Sequence, residues 1–165
     1  MKTDNPNITD FPINFNSNNT FILKKNDDNR DKVLSLIEKL DSQGKTVVIT
    51  DNFLFPNRNS EDYRILLLDF LKKFKANKII YCCRGLQNHT LFSAVKEELA
   101  LHNCQLQCFI TNDYHDRYWV CTDSGKGINI GTSLNGIGYT TTTIKYLDIE
   151  EITDLKGSFL QAGII

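Results

Sequence analysis

Two short apolar runs, Lys45-Thr46-Val47-Val48-Ile49-Thr50 and Lys78-Ile79-Ile80-Tyr81-Cys82-Cys83, stand on either side of a helix-length segment. Each run is too short for a helix and too apolar throughout for a strand with one wet face, so both read as central strands. Between them Ser60 can cap a helix over 61–75, with Ile65, Leu66, Leu68, Leu71 and Phe74 as its core stripe. Strand, helix, strand in that order implies parallel neighbours joined by a right-handed crossover. The rhythm extends both ways. Upstream, Asp31 offers an N-cap, and Val33, Leu34, Ile37 and Leu40 keep helical spacing until Gly44. Downstream, Thr90 begins a helix with Phe92, Val95, Leu99 and Leu101 inward, and Cys104 to Thr111 alternates like a strand with one wet face.

After Thr111 the pattern changes. Arg117–Cys121 reads as a strand, Asp123-Ser124-Gly125-Lys126-Gly127 as a turn and Ile128-Asn129-Ile130 as a strand, and so short a connection makes the pair antiparallel. Thr140–Leu147 is a last β-branched strand, and Asp148 caps a terminal helix through Ile149, Ile152 and Leu155. The expected fold class is α/β: a mixed, mostly parallel sheet flanked by helices, with an antiparallel C-terminal hairpin. Residues 1–29 are rich in Asn, Asp and Thr, with apolar islands only at Phe11-Pro12-Ile13 and Thr20-Phe21-Ile22-Leu23. They read as an N-terminal arm, partly extended or flexible, with one short strand at 20–24, leaving 30–165 as the folded domain.

Composition narrows the function classes. At 165 residues, 41% hydrophobic and 24% charged, the chain is most simply one globular domain. A net charge of −1 leaves no global basic field for sequence-blind nucleic-acid binding. The local lysines at Lys24-Lys25 and at Lys72-Lys73 with Lys75 and Lys78 read as solvated element ends. Five cysteines without a CxxC pair sit mostly in apolar runs, as buried small hydrophobes in a reducing compartment do, and neither disulfides, a metal set nor a cofactor is expected from them. The sequence shows no leader pattern and no apolar run of about 18 residues, so a cytoplasmic protein without a transmembrane segment is expected.

In open α/β sheets, ligands gather beyond the carboxyl ends of parallel strands. Asp51, Arg84 and the Asn112-Asp113-Tyr114-His115 corner all fall at predicted strand ends and would share one rim if those strands are neighbours. For Asp51 the competing assignment is a turn residue, and for Arg84 a surface salt bridge. In His115-Asp116-Arg117, strand alternation places His115 and Arg117 on one face, where Arg can fork two phosphate oxygens while His attacks or donates a proton. Asp116 would face away; the structural alternative is an Asp116–Arg117 ion pair. The loop Gly131-Thr132-Ser133-Leu134-Asn135-Gly136-Ile137-Gly138 adds backbone amides that glycines let turn toward a ligand, and uncharged donors on Ser133 and Asn135.

His115 to Asn135 resembles a degenerate copy of the HKD motif of the phospholipase D superfamily. That motif has a His, a Lys two residues on and an Asp four further, then a Gly-Ser-x-Asn loop. Here His115 matches the His, Arg117 stands at the Lys, Thr122 at the Asp with Asp123 one residue late, and Gly131, Ser133 and Asn135 match the loop loosely. The form is also similar to the C-terminal phospholipase D-like domain of the MIT-domain family, and to bacterial stand-alone proteins with HDR…GxSLxxxG. The resemblance implies catalytic roles at His115, Arg117 and Asn135, and ligand contacts at Gly131, Thr132, Ser133, Arg84 and Asp51. One motif where the family pairs two implies a homodimer for any catalysis. Three functions stay open: a domain that binds a phosphate-bearing ligand (nucleotide, nucleic acid or anionic lipid headgroup) within a larger assembly; a metal-independent phosphodiesterase or nuclease acting as a homodimer with His115 as nucleophile; and a protein-interaction domain that has lost the site.

Overall fold

The structure, a computed structural model, describes residues 20–26 and 28–165; of the expected arm at 1–29, residues 1–19 and 27 lie outside the described residues. The elements follow the chain as β1 (Thr20–Leu23), α1 (Arg30–Glu38), β2 (Thr46–Thr50), α2 (Glu61–Lys73), β3 (Lys78–Cys83), α3 (His89–Ala100), β4 (Gln105–Ile110), β5 (Arg117–Cys121), β6 (Lys126–Ile130), β7 (Thr142–Tyr146) and α4 (Ile149–Gln161). The strands form one seven-stranded sheet among the described residues, in the order β1-β7-β6-β5-β2-β3-β4. β2, β3 and β4 are mutually parallel, β5 and β7 run against them, and β6 and β1 run with them. The sheet is therefore mixed, with most strands in one direction, as the sequence pattern implies.

Alternation along β2 explains the layers. Val47 and Ile49 face the cluster built with α1, α2 and α3, whereas Val48 faces the cluster built with α4; all three are fully buried. β5 divides in the same way, Trp119 and Cys121 to the first face and Val120 to the second. Trp119 meets the rings of Phe70 and Phe74 edge-on at 6.3 and 5.9 Å, which seats α2 on the sheet. On the second face, Ile152 and Phe159 of α4 cover Val48, Ile80, Cys82 and Val120. All five thiols are free, and burial pushes those of Cys82 and Cys108 up to about 12, far from the thiolate form.

Several local expectations are corrected. Ile65, placed in the α2 stripe, is 47% exposed; Tyr63, Leu67 and Phe70 are buried with Leu68 and Leu71, so the stripe is rotated. Leu101 lies beyond the end of α3, where the chain leaves the helix toward the positive-φ residue Asn103, and is 78% exposed. The helix starts shift by a residue or two: Asn29 rather than Asp31 precedes α1, and Asn88 caps α3 by accepting from the Leu91 amide. Ser60 and Asp148 cap as expected. Thr20–Leu23 joins the sheet as an edge strand on β7, with Phe21 edge-on to Tyr146 at 5.7 Å. Among the described residues no helix is long and apolar enough to cross a membrane.

At α4 the cap is a full capping box: Asp148 accepts from the Glu151 amide at 2.8 Å and Glu151 accepts from the Asp148 amide at 2.9 Å. Asp148→Ala is expected to lower unfolding stability by about 1 kcal/mol, with the denaturant midpoint falling at unchanged slope. An unchanged midpoint would show that packing of Phe159 and Ile152 alone sets α4.

Candidate functional site

One rim of the sheet collects the chemistry, because antiparallel strands bring their starts to the ends of the others. Asp51 follows β2, Arg84 follows β3, the 111–116 segment joins β4 to β5, and Gly131 follows β6. The β2–β5 register pairs Thr50 with Tyr118, so the next step places Asp51 beside Arg117. The Thr50 hydroxyl fastens this corner by donating to the Asp116 carbonyl at 2.6 Å and accepting from the Tyr118 amide at 2.9 Å.

The inner part of the site is a carboxylate–guanidinium pair. Arg117 Nε lies 3.4 Å from Asp51 Oδ1, with the Asp51 side chain 1% and the Arg117 side chain 23% exposed. Oδ1 also accepts from the Phe53 amide at 2.8 Å, so Asp51 is a turn residue as well as an ion-pair partner. Asp51 Oδ2 and Arg117 Nε are enclosed without a hydrogen-bond partner among the described residues. The Arg117 guanidinium carbon lies 5.8 Å from the centre of the Phe53 ring, which is itself 49% exposed. Burial raises the Asp51 carboxyl above its ordinary value, with the Phe53 amide and the Arg117 charge acting in the opposite direction. Tyr63, whose hydroxyl donates to the Leu54 carbonyl at 2.8 Å, is raised by burial and then by the Asp51 charge.

The outer part is a guanidinium set against an imidazole. Arg84 Nη2 contacts His115 Nδ1 and lies 3.4 Å from Nε2, with both residues exposed. A guanidinium has only donors, so the contacted ring nitrogen must present its lone pair, and a neutral ring then carries its proton on Nε2. The Arg84 amide donates to Asn52 Oδ1 at 2.9 Å, Gln87 Nε2 to the Asn52 carbonyl at 3.3 Å, and Asn88 Nδ2 to the Pro56 carbonyl at 3.1 Å. These amides lace the β2–α2 and β3–α3 loops together beneath Arg84. Tyr114 holds the His115 corner onto α4 through Ser158 Oγ at 2.8 Å and the Phe159 ring at 5.3 Å.

The Gly-rich loop leaves β6 at the same rim, and the Gly131 amide still pairs with the Thr143 carbonyl at 2.9 Å. Leu134–Gly136 forms a single 3-10 turn with Leu134 buried and Asn135 exposed. A Cβ on Gly131 would come within 2.7 Å of Thr142 Oγ1, and one on Gly136 would collide with Thr132. Among the described residues no hydrogen bond joins Thr132, Ser133 or Asn135 to Arg84, His115 or Arg117, and no three His, Cys, Asp or Glu side chains gather to hold a metal ion.

Two readings of the HDR segment need correction. β5 begins at Arg117, so strand alternation never reaches His115: its partner is Arg84, while Arg117 turns to Asp51 and Phe53. The Asp116–Arg117 ion pair is not formed, since the Asp116 carboxylate instead accepts from the Tyr118 hydroxyl at 3.1 Å. As expected from an Asp that stands out of register, Thr122 and Asp123 lie past the far end of β5, where Asp123 accepts from the Thr46 amide at 3.2 Å, and neither reaches the imidazole. Phe53 and Asn52 escaped notice in the sequence; an aromatic residue in a polar loop just after a strand-end Asp was their only signal.

Neither a protein-family model nor a curated protein sequence matches the chain. Solved structures do. NucT from Helicobacter pylori matches with a TM-score of 0.54 at 14% identity, over 88% of this chain and 94% of that one. The phospholipase D family member Nuc from Salmonella typhimurium matches at 0.52 and 15%, over 88% and 92%. Polyphosphate kinase from Porphyromonas gingivalis matches at 0.55 and 10%, over 87% of this chain but only 25% of the kinase. The chain has the phospholipase D-like fold.

The buried carboxyl can be read by pH. With its value raised on folding, Asp51 binds a proton more tightly in the folded than in the unfolded chain, so it adds stability at low pH that is lost as pH rises through the folded-state value. Asn has no such dependence. The melting temperature of Asp51→Asn minus that of the native protein is therefore expected to become more positive from about pH 4 to about pH 7. A difference that moves the other way would show that Arg117 and the Phe53 amide outweigh burial.

Proposed function

We propose that this phospholipase D-like chain binds a phosphate ester of nucleic-acid type at the Arg84/His115/Arg117 rim, and binds it without cutting. One observation carries the reading: the His115 imidazole faces the Arg84 guanidinium instead of a carboxylate. A histidine that attacks phosphorus is helped by an acceptor that holds its ring proton and stabilises the charge it gains. A cation at that position opposes the build-up of imidazolium charge, yet beside a phosphate oxygen it adds to binding. Arg84 and Arg117 supply two guanidiniums, His115 a ring donor, and Ser133 with Asn135 uncharged donors on the neighbouring loop.

Nucleic acid is favoured over a lipid headgroup by Phe53. Its half-exposed ring lies at the same rim, one residue from the Asn52 side chain that holds the Arg84 backbone. An exposed aromatic face beside phosphate-binding cations suits stacking of a base. A lipid surface would need a wider apolar area flanked by lysines than one ring provides.

The second reading, a homodimeric phosphodiesterase with His115 as nucleophile, draws support from the exposure of His115, since an imidazole that must meet its symmetry mate has to lie at the surface. Calorimetry and a hydrolysis assay in EDTA separate the two. Arg84→Ala is expected to weaken binding of inorganic phosphate and of a short single-stranded oligonucleotide about tenfold, the loss of a charge-assisted contact. Phe53→Ala is expected to weaken only the oligonucleotide, by about 1–3 kcal/mol. Tighter binding to anionic vesicles than to the oligonucleotide would move the ligand to lipids. Turnover of a phosphodiester by a dimer, abolished in His115→Ala, would replace the binding reading with the catalytic one, and absence of phosphate binding in the native protein would leave a protein-interaction domain.

A further inference from the structure

Burying a carboxylate is costly unless each oxygen is used, and only one oxygen of Asp51 is. Oδ1 takes the Phe53 amide at 2.8 Å and faces Arg117 Nε at 3.4 Å, while Oδ2 is enclosed and unpartnered among the described residues. A turn alone does not need this charge, because Asn or Ser accepts the same backbone amide without it. Simple neutralisation of Arg117 does not explain it either, since a carboxylate that neutralises an exposed arginine commonly takes the two-pronged outer edge. Here the carboxylate lies against the inner Nε edge, and Phe53 lies against the guanidinium face at 5.8 Å. Among the described residues the two terminal nitrogens make no hydrogen bond, and unlike Nε they are not among the fully enclosed polar atoms, so they keep access to solvent at the rim.

We propose that Asp51 is a positioning residue: it anchors the inner edge of Arg117 so that the terminal nitrogens form a preset fork for one phosphate of the ligand. Asp51 does not itself touch the ligand. The inference rests on the phosphate-binding reading above and adds to it the group that orients one of its two guanidiniums. A long side chain fixed before binding loses less freedom when the ligand arrives, so the contribution of Asp51 is to affinity through Arg117.

A double-mutant cycle tests this, with titration of inorganic phosphate and of a short single-stranded oligonucleotide into the native chain, Asp51→Asn, Arg117→Ala and the double variant. Asn keeps the size and the oxygen for the Phe53 amide but lacks the charge. Asp51→Asn is expected to weaken both probes about three- to tenfold, Arg117→Ala at least as much, and the double variant no more than Arg117→Ala, which is the signature of one residue acting through another. Affinity that is unchanged or tighter in Asp51→Asn overturns the proposal, as do additive losses in the double variant. If Asp51→Asn does not fold by circular dichroism, Arg117→Lys carries the test: it keeps the charge without the fork, and native affinity there overturns the preset geometry. Arg84→Ala separates the two levels. Weakened binding in Arg84→Ala with native binding in Asp51→Asn sinks this inference alone; no phosphate binding by the native chain sinks both.

Discussion

The antiparallel pairing of β5 against β2 is the contact on which the rest of the arrangement depends. It places the start of one strand beside the end of another, and so brings Arg117 to the rim that already carries Asp51 and Arg84. Had β5 joined the sheet parallel to β2, Arg117 would sit at the opposite edge, near Thr46. The pairing is held in register by packing on both faces at once. Val47, Val48 and Ile49 of β2 and Trp119 and Val120 of β5 are all at most 2% exposed, and each such side chain contributes on the order of 1.5–3 kcal/mol of burial. A slip of β5 by one residue would exchange the faces of Trp119 and Val120. Thr50 adds a polar clasp at the rim end, where apolar packing gives out.

On that scaffold two guanidiniums take different states. Arg117 is drawn partly inward, one edge against a buried carboxylate and one face against an aromatic ring, while Arg84 stays out and meets His115. The difference follows from where each residue stands on its strand: Arg117 is the first residue of β5 and alternates with Trp119 and Cys121 on the face covered by α1, α2 and α3, whereas Arg84 has already passed the end of β3. Both guanidiniums thus stand at one rim of a chain whose net charge is −1. Three of the surface lysines are paired with carboxylates: Lys72 with Glu98, Lys73 with Glu38 and Lys45 with Asp41. On the proposed reading, a ligand would be recognised here by geometry more than by long-range attraction.

Much of the fold was legible because it rests on local signals. β3 and β5 end where the apolar runs end, Ser60 and Asp148 cap their helices, and the βαβ rhythm supplies the parallel half of the sheet. The errors came where a residue's surroundings are decided by distant chain. Ile65 and Leu101 are apolar at helical spacing yet exposed, since the stripe a helix buries depends on its rotation against the sheet and on where it ends. The site divided in the same way. That Asp51, Arg84 and His115 share a rim could be inferred from strand ends, but who touches whom could not.

The sequence by itself determined the elements, the α/β class and the placing of polar residues at strand ends, because period, caps and β-branched runs act over a few residues. Only the tertiary structure decided that His115 meets Arg84 and Arg117 meets Asp51, and that Phe53 flanks the pair. Those contacts span 31 positions for Arg84 and His115 and join strands whose neighbours are set by the whole sheet, which no local periodicity encodes.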